Sequence, residues 1–185
     1  MAFEVINIYD VLAVGESYFE QIVKSFTSIN EDIQDFLQNS AIGFAKRKQA
    51  VTYLVFKDSF LAGYFTIAVK TFEIKQSYIS KTISKKLQRV CQLDEDNNCY
   101  RPSAILIAQL GKNFSANDCI KGEELLQIAM ETVMDIQYMA GGVITFLECE
   151  NNQKLLEFYH LNGFREISIR NTKEDKNLIQ LYKLI

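Results

Sequence analysis

The sequence predicts a mixed α/β fold in which helices flank a central sheet. Three observations carry that prediction. In the second half, apolar segments of strand length alternate with segments of helical period. Polar turns of hairpin size, Lys57-Asp58-Ser59 and Asn171–Lys176, join strand pairs early and late in the chain. Residues 121–139 place Leu125, Ala129, Val133 and Ile136 on one stripe, with Ala140 next in line, as a long amphipathic helix against a sheet would.

The 185 residues fit one domain, 1–185, and their 48% hydrophobic content suffices for a core without disulfide or metal. Residues 3–14 read as an opening strand. Residues 16–26 follow as a helix, with Tyr18, Ile22 and Phe26 at helical spacing, and Asn30 is placed to cap a second helix carrying Ile33, Phe36 and Leu37. Lys46-Arg47-Lys48 is a basic run in a connection. Val51–Phe56 and Phe60–Thr71 are strands, the second apolar enough to be buried on both faces.

Residues 72–103 break the pattern and read as an insertion. A structureless loop of this length is unusual inside a compact domain. Ser77–Leu87 has helical character weakened by its serines and threonine. From Lys70 to Arg89 there are six basic residues and one acid, Glu73, before Asp94-Glu95-Asp96 reverses the sign. By default this is a solvated, partly helical face; read for function, it is an edge that anchors phosphates. Beyond it, 104–109 and 143–147 are strands, Gly141-Gly142 ends the long helix, 152–161 is a short helix, and 164–170 and 177–184 form a final strand pair.

Composition excludes several function classes. With a net charge of −3 there is no global basic excess, so only local clusters can meet nucleic acid. Cys91, Cys99, Cys119 and Cys149 have no CxxC spacing and His160 is the one histidine, so no metal site is expected. The scattered cysteines, and an opening Met1–Asn7 with an early acid and no basic segment, lead us to expect a reduced, cytoplasmic setting. No apolar run reaches the ~18–20 residues of a membrane span.

Two patches carry chemistry. Residues 108–126 read as a strand, a tight loop and the start of a helix. Such an arrangement aims unpaired N–H groups and the positive end of a helix dipole at one spot, where a pyrophosphate can sit, and Gly122 offers close approach without a Cβ. Residues 147–164 read as a strand, a loop with Asn151 and Asn152, a short amphipathic helix ending in Phe158-Tyr159, then Asn162-Gly163-Phe164.

Together these patches resemble the GNAT superfamily of acyl-CoA N-acetyltransferases over roughly residues 30–170. Within it, Gly63-Tyr64-Phe65-Thr66-Ile67-Ala68 and the Phe158-Tyr159 region are most similar to the tRNA-acetylating toxins and their uncharacterised bacterial relatives. The resemblance implies a mostly antiparallel sheet of six to seven strands with splayed fourth and fifth strands. It implies acetyl-CoA as co-substrate and transfer to a primary amine by direct attack. It makes Tyr159 the general acid toward the departing thiolate, and Asn152, Leu110 and Lys112 the contacts of the pantetheine arm.

The phosphate contacts it implies are Asn117, Ile120, Lys121 and Gly122. Only Gly122 matches the superfamily's loop, in which Asn117 stands for a Gln or Arg and Ile120 for a glycine, and Asp118 adds an acid. A non-catalytic module that binds a ligand or protein partner is the alternative. The acceptor is a small molecule, a protein or an aminoacyl-tRNA, and a homodimer is compatible with the fold. Cys149 reads as a buried thiol rather than a nucleophile, His160 as solvent-facing, and Glu73, Glu148 and Glu150 as surface charges, which leaves the general base unassigned.

Overall fold

The computed structural model describes residues 3–115, 120–171 and 177–185. In chain order the elements are β1 (Glu4–Asn7), α1 (Ile8–Val14), α2 (Glu16–Val23), α3 (Glu31–Asp35), α4 (Ala41–Lys46), β2 (Val51–Lys57), β3 (Phe60–Thr71), β4 (Ile74–Lys75), α5 (Lys81–Leu87), β5 (Leu93–Asp94), β6 (Cys99–Tyr100), β7 (Ser103–Lys112), α6 (Gly122–Ala140), β8 (Ile144–Glu150), α7 (Gln153–Leu161), β9 (Arg165–Asn171) and β10 (Asn177–Leu184). A π turn, Phe36–Ser40, joins α3 to α4. Seven strands form a mixed, mostly antiparallel sheet in the order β1-β2-β3-β7-β8-β10-β9, and the three short strands of the 72–103 segment form a second sheet, β4-β6-β5. With those three set aside, β7 and β8 are the fourth and fifth strands, and the helical crossover α6 is the connection a parallel pair requires. The chain divides into two compact units, Met1–Ala68 with Ile107–Thr132 and Val69–Leu106 with Val133–Ile185.

In the first unit the opening strand is shorter than the sequence pattern suggests. It stops at Asn7, whose side chain accepts from the Tyr9 N–H at 3.0 Å and caps α1, so residues 8–14 are helical. The apolar run there serves a helix, because Ile8 and Val11 are both buried from one face. In α2 the inward pair is Phe19 and Val23, while Tyr18 points outward, and Phe26 is buried beyond the end of the helix. Asn30 caps α3 as its position predicts, accepting from the Asp32 N–H at 2.9 Å. The β2–β3 hairpin turns on Asp58 and Ser59, both at positive φ, which is the two-residue turn that matches strand twist.

Two close approaches and one buried amide organise this unit. A Cβ on Gly63 would come within 2.8 Å of the Gly111 carbonyl, and one on Gly111 within 2.5 Å of the Tyr64 ring. Tyr64 is fully buried, stacks at 6.5 Å on Phe36, meets Phe26 edge-on at 5.3 Å and donates to the Ile33 carbonyl at 2.6 Å. Asn113, just past β7, is also fully buried. Its carbonyl oxygen accepts from the Thr27 and Ser115 N–H groups, both at 3.0 Å, and its amide donates to the Leu61 carbonyl at 2.7 Å. The Asn113 backbone N–H donates to Ala62 at 2.9 Å, and Phe114 N–H to Thr27 at 2.8 Å.

In the second unit the 72–103 segment is more ordered than a solvated insertion. Phe72, Ile74, Ile83, Leu87 and Tyr100 share a core with Ile144, Phe146 and Tyr182 from β8 and β10, and Phe72 stacks on Phe146 at 4.4 Å. The helical stretch is split, with a 3₁₀ turn at Gln76–Tyr78 and α5 opening after Ser80, whose hydroxyl accepts from the Ile83 N–H. The Tyr100 hydroxyl is hydrogen-bonded to the Ser84 hydroxyl at 2.7 Å and accepts from Gln88 at 3.1 Å. Arg101 takes both nearby acids, Glu73 at 2.9 Å and Asp94. The Asn97 side chain and the Arg101 guanidinium hold Asp94 at about 2. The Thr145 hydroxyl donates to the Ile105 carbonyl at 2.9 Å, tying β8 to β7 near the start of both strands. The turn at 172–176 lies outside the described residues.

Asn113→Ala leaves two amide donors and one carbonyl of a closed site without their partners. The expected cost is about 3 kcal/mol, read as a lowered urea midpoint at unchanged m-value; a loss below about 0.5 kcal/mol would show that the latch does not bear on stability.

Candidate active site

The first unit carries the expected phosphate contacts of the cofactor and two of the expected pantetheine contacts, Leu110 and Lys112. Leu110 and Lys112 are half-buried on the last residues of β7, and the Lys112 ammonium lies 5.4 Å from the centre of the Phe114 ring. Asn117 lies outside the described residues. Ile120 is buried at 1% exposure, so it anchors the start of α6 and has only its backbone to offer a ligand. Lys121 is exposed, and its N–H donates to the Glu124 carboxylate at 2.7 Å. That bond is the reciprocal half of a capping box, and with Glu123 it puts two acids in the first turn of α6. Gly122 opens the helix on its exposed side. One of the amides that a phosphate would use therefore already serves a carboxylate of the chain itself.

The second unit carries the proposed thiol end. Asn152 stands between β8 and α7 with extended backbone, and its carbonyl oxygen accepts from the Lys154 N–H at 3.0 Å. The cap uses only the oxygen of that side chain. No described residue takes its amide nitrogen, which remains a donor.

Tyr159 is set by the way α7 ends. Gly163, at φ +83°, lets the chain reverse; its N–H donates to the His160 carbonyl at 2.9 Å, and Phe164 N–H to the Tyr159 carbonyl at 3.0 Å. These are the two hydrogen bonds of a Schellman termination, and the hydrophobic contact that goes with it is Phe164 against Tyr159 at 5.9 Å, edge-on. Lys183 closes the turn by donating to the Asn162 carbonyl at 2.9 Å. The Tyr159 side chain is 9% exposed. Its hydroxyl has no hydrogen-bond partner among the described residues. Burial, reinforced by Cys149, pushes the phenol well above its ordinary value of 10, which keeps it protonated and able to donate at neutral pH.

The neighbouring groups take the plainer roles. Cys149 is buried and its thiol is pushed up to about 11, first by desolvation and then by Glu166 and Glu150, so it is no nucleophile at pH 7. His160 is exposed and lies 3.0 Å from Glu166. Both Glu148 oxygens accept from one Arg170 nitrogen, at 3.0 and 2.8 Å, and one of them also from the Gln180 amide at 2.7 Å, which leaves Glu148 poorly placed as a free base. Glu73 is held by Arg101. Sequence reasoning missed the positioning roles of Gly163, Phe164 and Asn113. A glycine two residues past an apolar helix was a readable signal for the first two; nothing in the local pattern marks Asn113.

No protein-family model matches the sequence, and no curated protein matches it either. Solved structures do resemble it. AtaT complexed with acetyl-methionyl-tRNA is 15% identical over 96% of this chain and 94% of that one, with a TM-score of 0.68. A tyrosine-to-phenylalanine mutant of KacT is 19% identical over 100% of this chain and 95% of that one, with a TM-score of 0.70. A tyrosine-to-phenylalanine mutant of the AtaT toxin, bound to the C-terminus of the antitoxin AtaR and acetyl-CoA, is 16% identical over 100% and 94%, with a TM-score of 0.60. At this level of identity the likeness shows the fold: the chain has the GNAT fold of these toxin acetyltransferases.

Gly163→Ala forces a side chain into left-handed backbone, which costs about 1–2 kcal/mol, and loosens the termination that places Tyr159. A lowered melting temperature with a longer-lived, more mobile Tyr159 ring signal by NMR is the expected result; an unchanged Tyr159 environment would show that the turn does not position it.

Proposed function

We propose that this chain is an acetyl-CoA-dependent N-acetyltransferase in which Tyr159 is the general acid. The observation that carries the reading is a buried tyrosine with a raised pKa, whose hydroxyl has no hydrogen-bond partner among the described residues, held by a backbone motif on a GNAT fold. Acetyl-CoA supplies an acyl group activated as a thioester. The acceptor amine forms the new C–N bond, the C–S bond breaks, and the Tyr159 hydroxyl gives its proton to the leaving sulfur and regains one from water. An ordinary thiol, near 8.5, is a stronger acid than a phenol, so Tyr159 acts by hydrogen bonding to charge as it develops and by proton delivery within the site. The proton released by the amine goes to water, since Glu73 and Glu148 are occupied by Arg101 and Arg170.

For the co-substrate, the Asn152 amide and the backbone of Leu110 and Lys112 would meet the pantetheine arm. The amides of Ile120 and Gly122, the Lys121 ammonium and Asn117 would meet the pyrophosphate. The acceptor we favour is an aminoacyl-tRNA, supported by the acetyl-methionyl-tRNA in the AtaT complex and by six exposed basic residues between Lys70 and Arg89. The setting proposed is the cytoplasm; among the described residues no helix is long and apolar enough to cross a membrane. An antitoxin-like protein partner is supported by the AtaR complex in the same way.

One observation favours a second reading. The Glu124 carboxylate on the Lys121 N–H competes with a phosphate for the start of α6, as a non-catalytic descendant of the fold would allow. Titration with acetyl-CoA separates the two. A rise in melting temperature that grows with ligand supports the transferase, and no rise at millimolar acetyl-CoA sinks it.

Tyr159→Phe is expected to lower turnover by ~10²-fold or more while the acetyl-CoA thermal shift persists. Because the phenol is raised, the wild-type rate should show no falling limb from Tyr159 below about pH 10. Unchanged turnover in the variant would remove Tyr159 from this role. Asn152→Asp keeps a good N-cap and loses the amide donor, so stability should hold while KM for acetyl-CoA rises; Asn152→Ala should lose about 1 kcal/mol as well. Equal KM in all three proteins would take Asn152 out of the site.

A further inference from the structure

The segment between β3 and β7 encloses a surface cavity of about 470 Å³ that the acetyl-transfer reading does not use. Its lining includes Lys81 and Lys85 from α5, Gln76 and Ser77 from the 3₁₀ turn, Gln88, and Asn98 from the β5–β6 hairpin, and it holds no acid. The two lysines are one helical turn apart, are exposed, and have no ion pair among the described residues. Two of the four acids in the segment, Glu73 and Asp94, are committed elsewhere. Arg101 holds both Glu73 and Asp94, and Asp94 also accepts from the Asn97 backbone and side chain.

Lys81 is also the first residue of α5, where the helix dipole disfavours a cation. Like charges at this spacing repel. Lys85, in the last turn, meets the favourable end of the dipole, but local stability gives no reason for Lys81 to share its cavity, and a sequence that breaks a local rule without structural return points to a ligand. The frame around them is rigid. Tyr100 is fully buried and bonds both Ser84 and Gln88, and the Gln76 N–H donates to the Asn98 carbonyl at 3.0 Å.

We propose that this cavity is a phosphate site in its own right, in which Lys81 and Lys85 seat a backbone phosphate of an RNA acceptor. The site deepens the acceptor reading above and rests on it. Two ammonium groups match the charge of a phosphodiester and its flanking neighbour. The uncharged donors Gln76, Ser77 and Asn98 suit phosphate oxygens and the ribose 2′-hydroxyl, which offers both donor and acceptor. Such a seat fixes the position of the acceptor away from the reacting amine and acts on binding.

The test uses the full chain and a fluorescein-labelled, uncharged tRNA, read by anisotropy over a salt series. Lys81→Gln/Lys85→Gln is compared with Lys24→Gln/Lys48→Gln, which removes the same charge from exposed positions outside both the cavity lining and the Lys70–Arg89 run. The cavity pair should weaken binding at least tenfold and reduce the salt slope by about 1.4–1.8, with the control pair losing under threefold. Equal losses in the two would overturn the site in favour of diffuse attraction, as would a wild-type chain that binds no RNA. Displacement of the tRNA by millimolar AMP as readily as by poly(U) would overturn RNA as the occupant. Selective weakening in the cavity pair, in a protein that acetyl-CoA fails to stabilise, would refute the transferase reading and leave the RNA site standing.

Discussion

The hydrogen bonds of Asn113 are the constraint on which the first unit depends. One buried side chain satisfies the ends of three segments that cannot satisfy themselves: the loop after α2 through Thr27, the start of β3 through Leu61, and the chain leaving β7 through Ser115. Breaking these bonds costs more than their net worth in water, because each partner left alone would bear the full cost of desolvation. The latch also explains the glycines. With β7 drawn against the first residues of β3, Gly111 and Gly63 face each other at a spacing that admits no Cβ, and Tyr64 fills what remains. Leu110 and Lys112, the residues proposed to meet the cofactor, flank that contact and inherit its precision.

The second unit solves a different problem. Its inserted segment is too short to form a core alone, so it borrows one face of β8 and β10 and buries Tyr100 at the centre. A buried phenol needs a partner for its hydroxyl, and Ser84 of α5 and Gln88, the residue that caps it, provide one. That fixes which face of α5 points inward and thereby which residues are left outside, the lysines among them. The same economy governs charge: one arginine absorbs two acids.

Much of the fold was legible in the sequence. β3, its hairpin turn, α6 with its Gly141-Gly142 stop, and the cap at Asn30 all follow from local period and turn chemistry, and the structure places them within a residue or two. The opening strand was misjudged because Ile8 and Val11 satisfy either period, and only the Asn7 cap decides between them. The insertion was misjudged because its apolar residues alternate too irregularly to declare a face; their burial is decided by Ile144, Phe146 and Tyr182, forty or more residues away. Of the candidate site, Tyr159 and Asn152 could be singled out from their motif, and the cap at Asn152 from its place before a helix. The capping role of Glu124 could have been read from its position three residues after Lys121. Asn113 could not, since an asparagine after a strand looks like any turn until its partners, 52 and 86 residues distant, are known.

The Schellman turn at Gly163 has a meaning beyond the residue it places. A tyrosine located by backbone hydrogen bonds and one glycine asks almost nothing of the outward side chains of its helix, and Gln153, Lys154, Glu157 and Leu161 all face water. Gly63, Gly111 and Asn113 play the same part in the other unit. When geometry is written in so few letters, the remaining letters can drift almost freely, and two chains can share an architecture while their alphabets become mutually unreadable. Agreement of 15–19% with proteins of the same fold, alongside silence from every family model, is what such a sparse code produces.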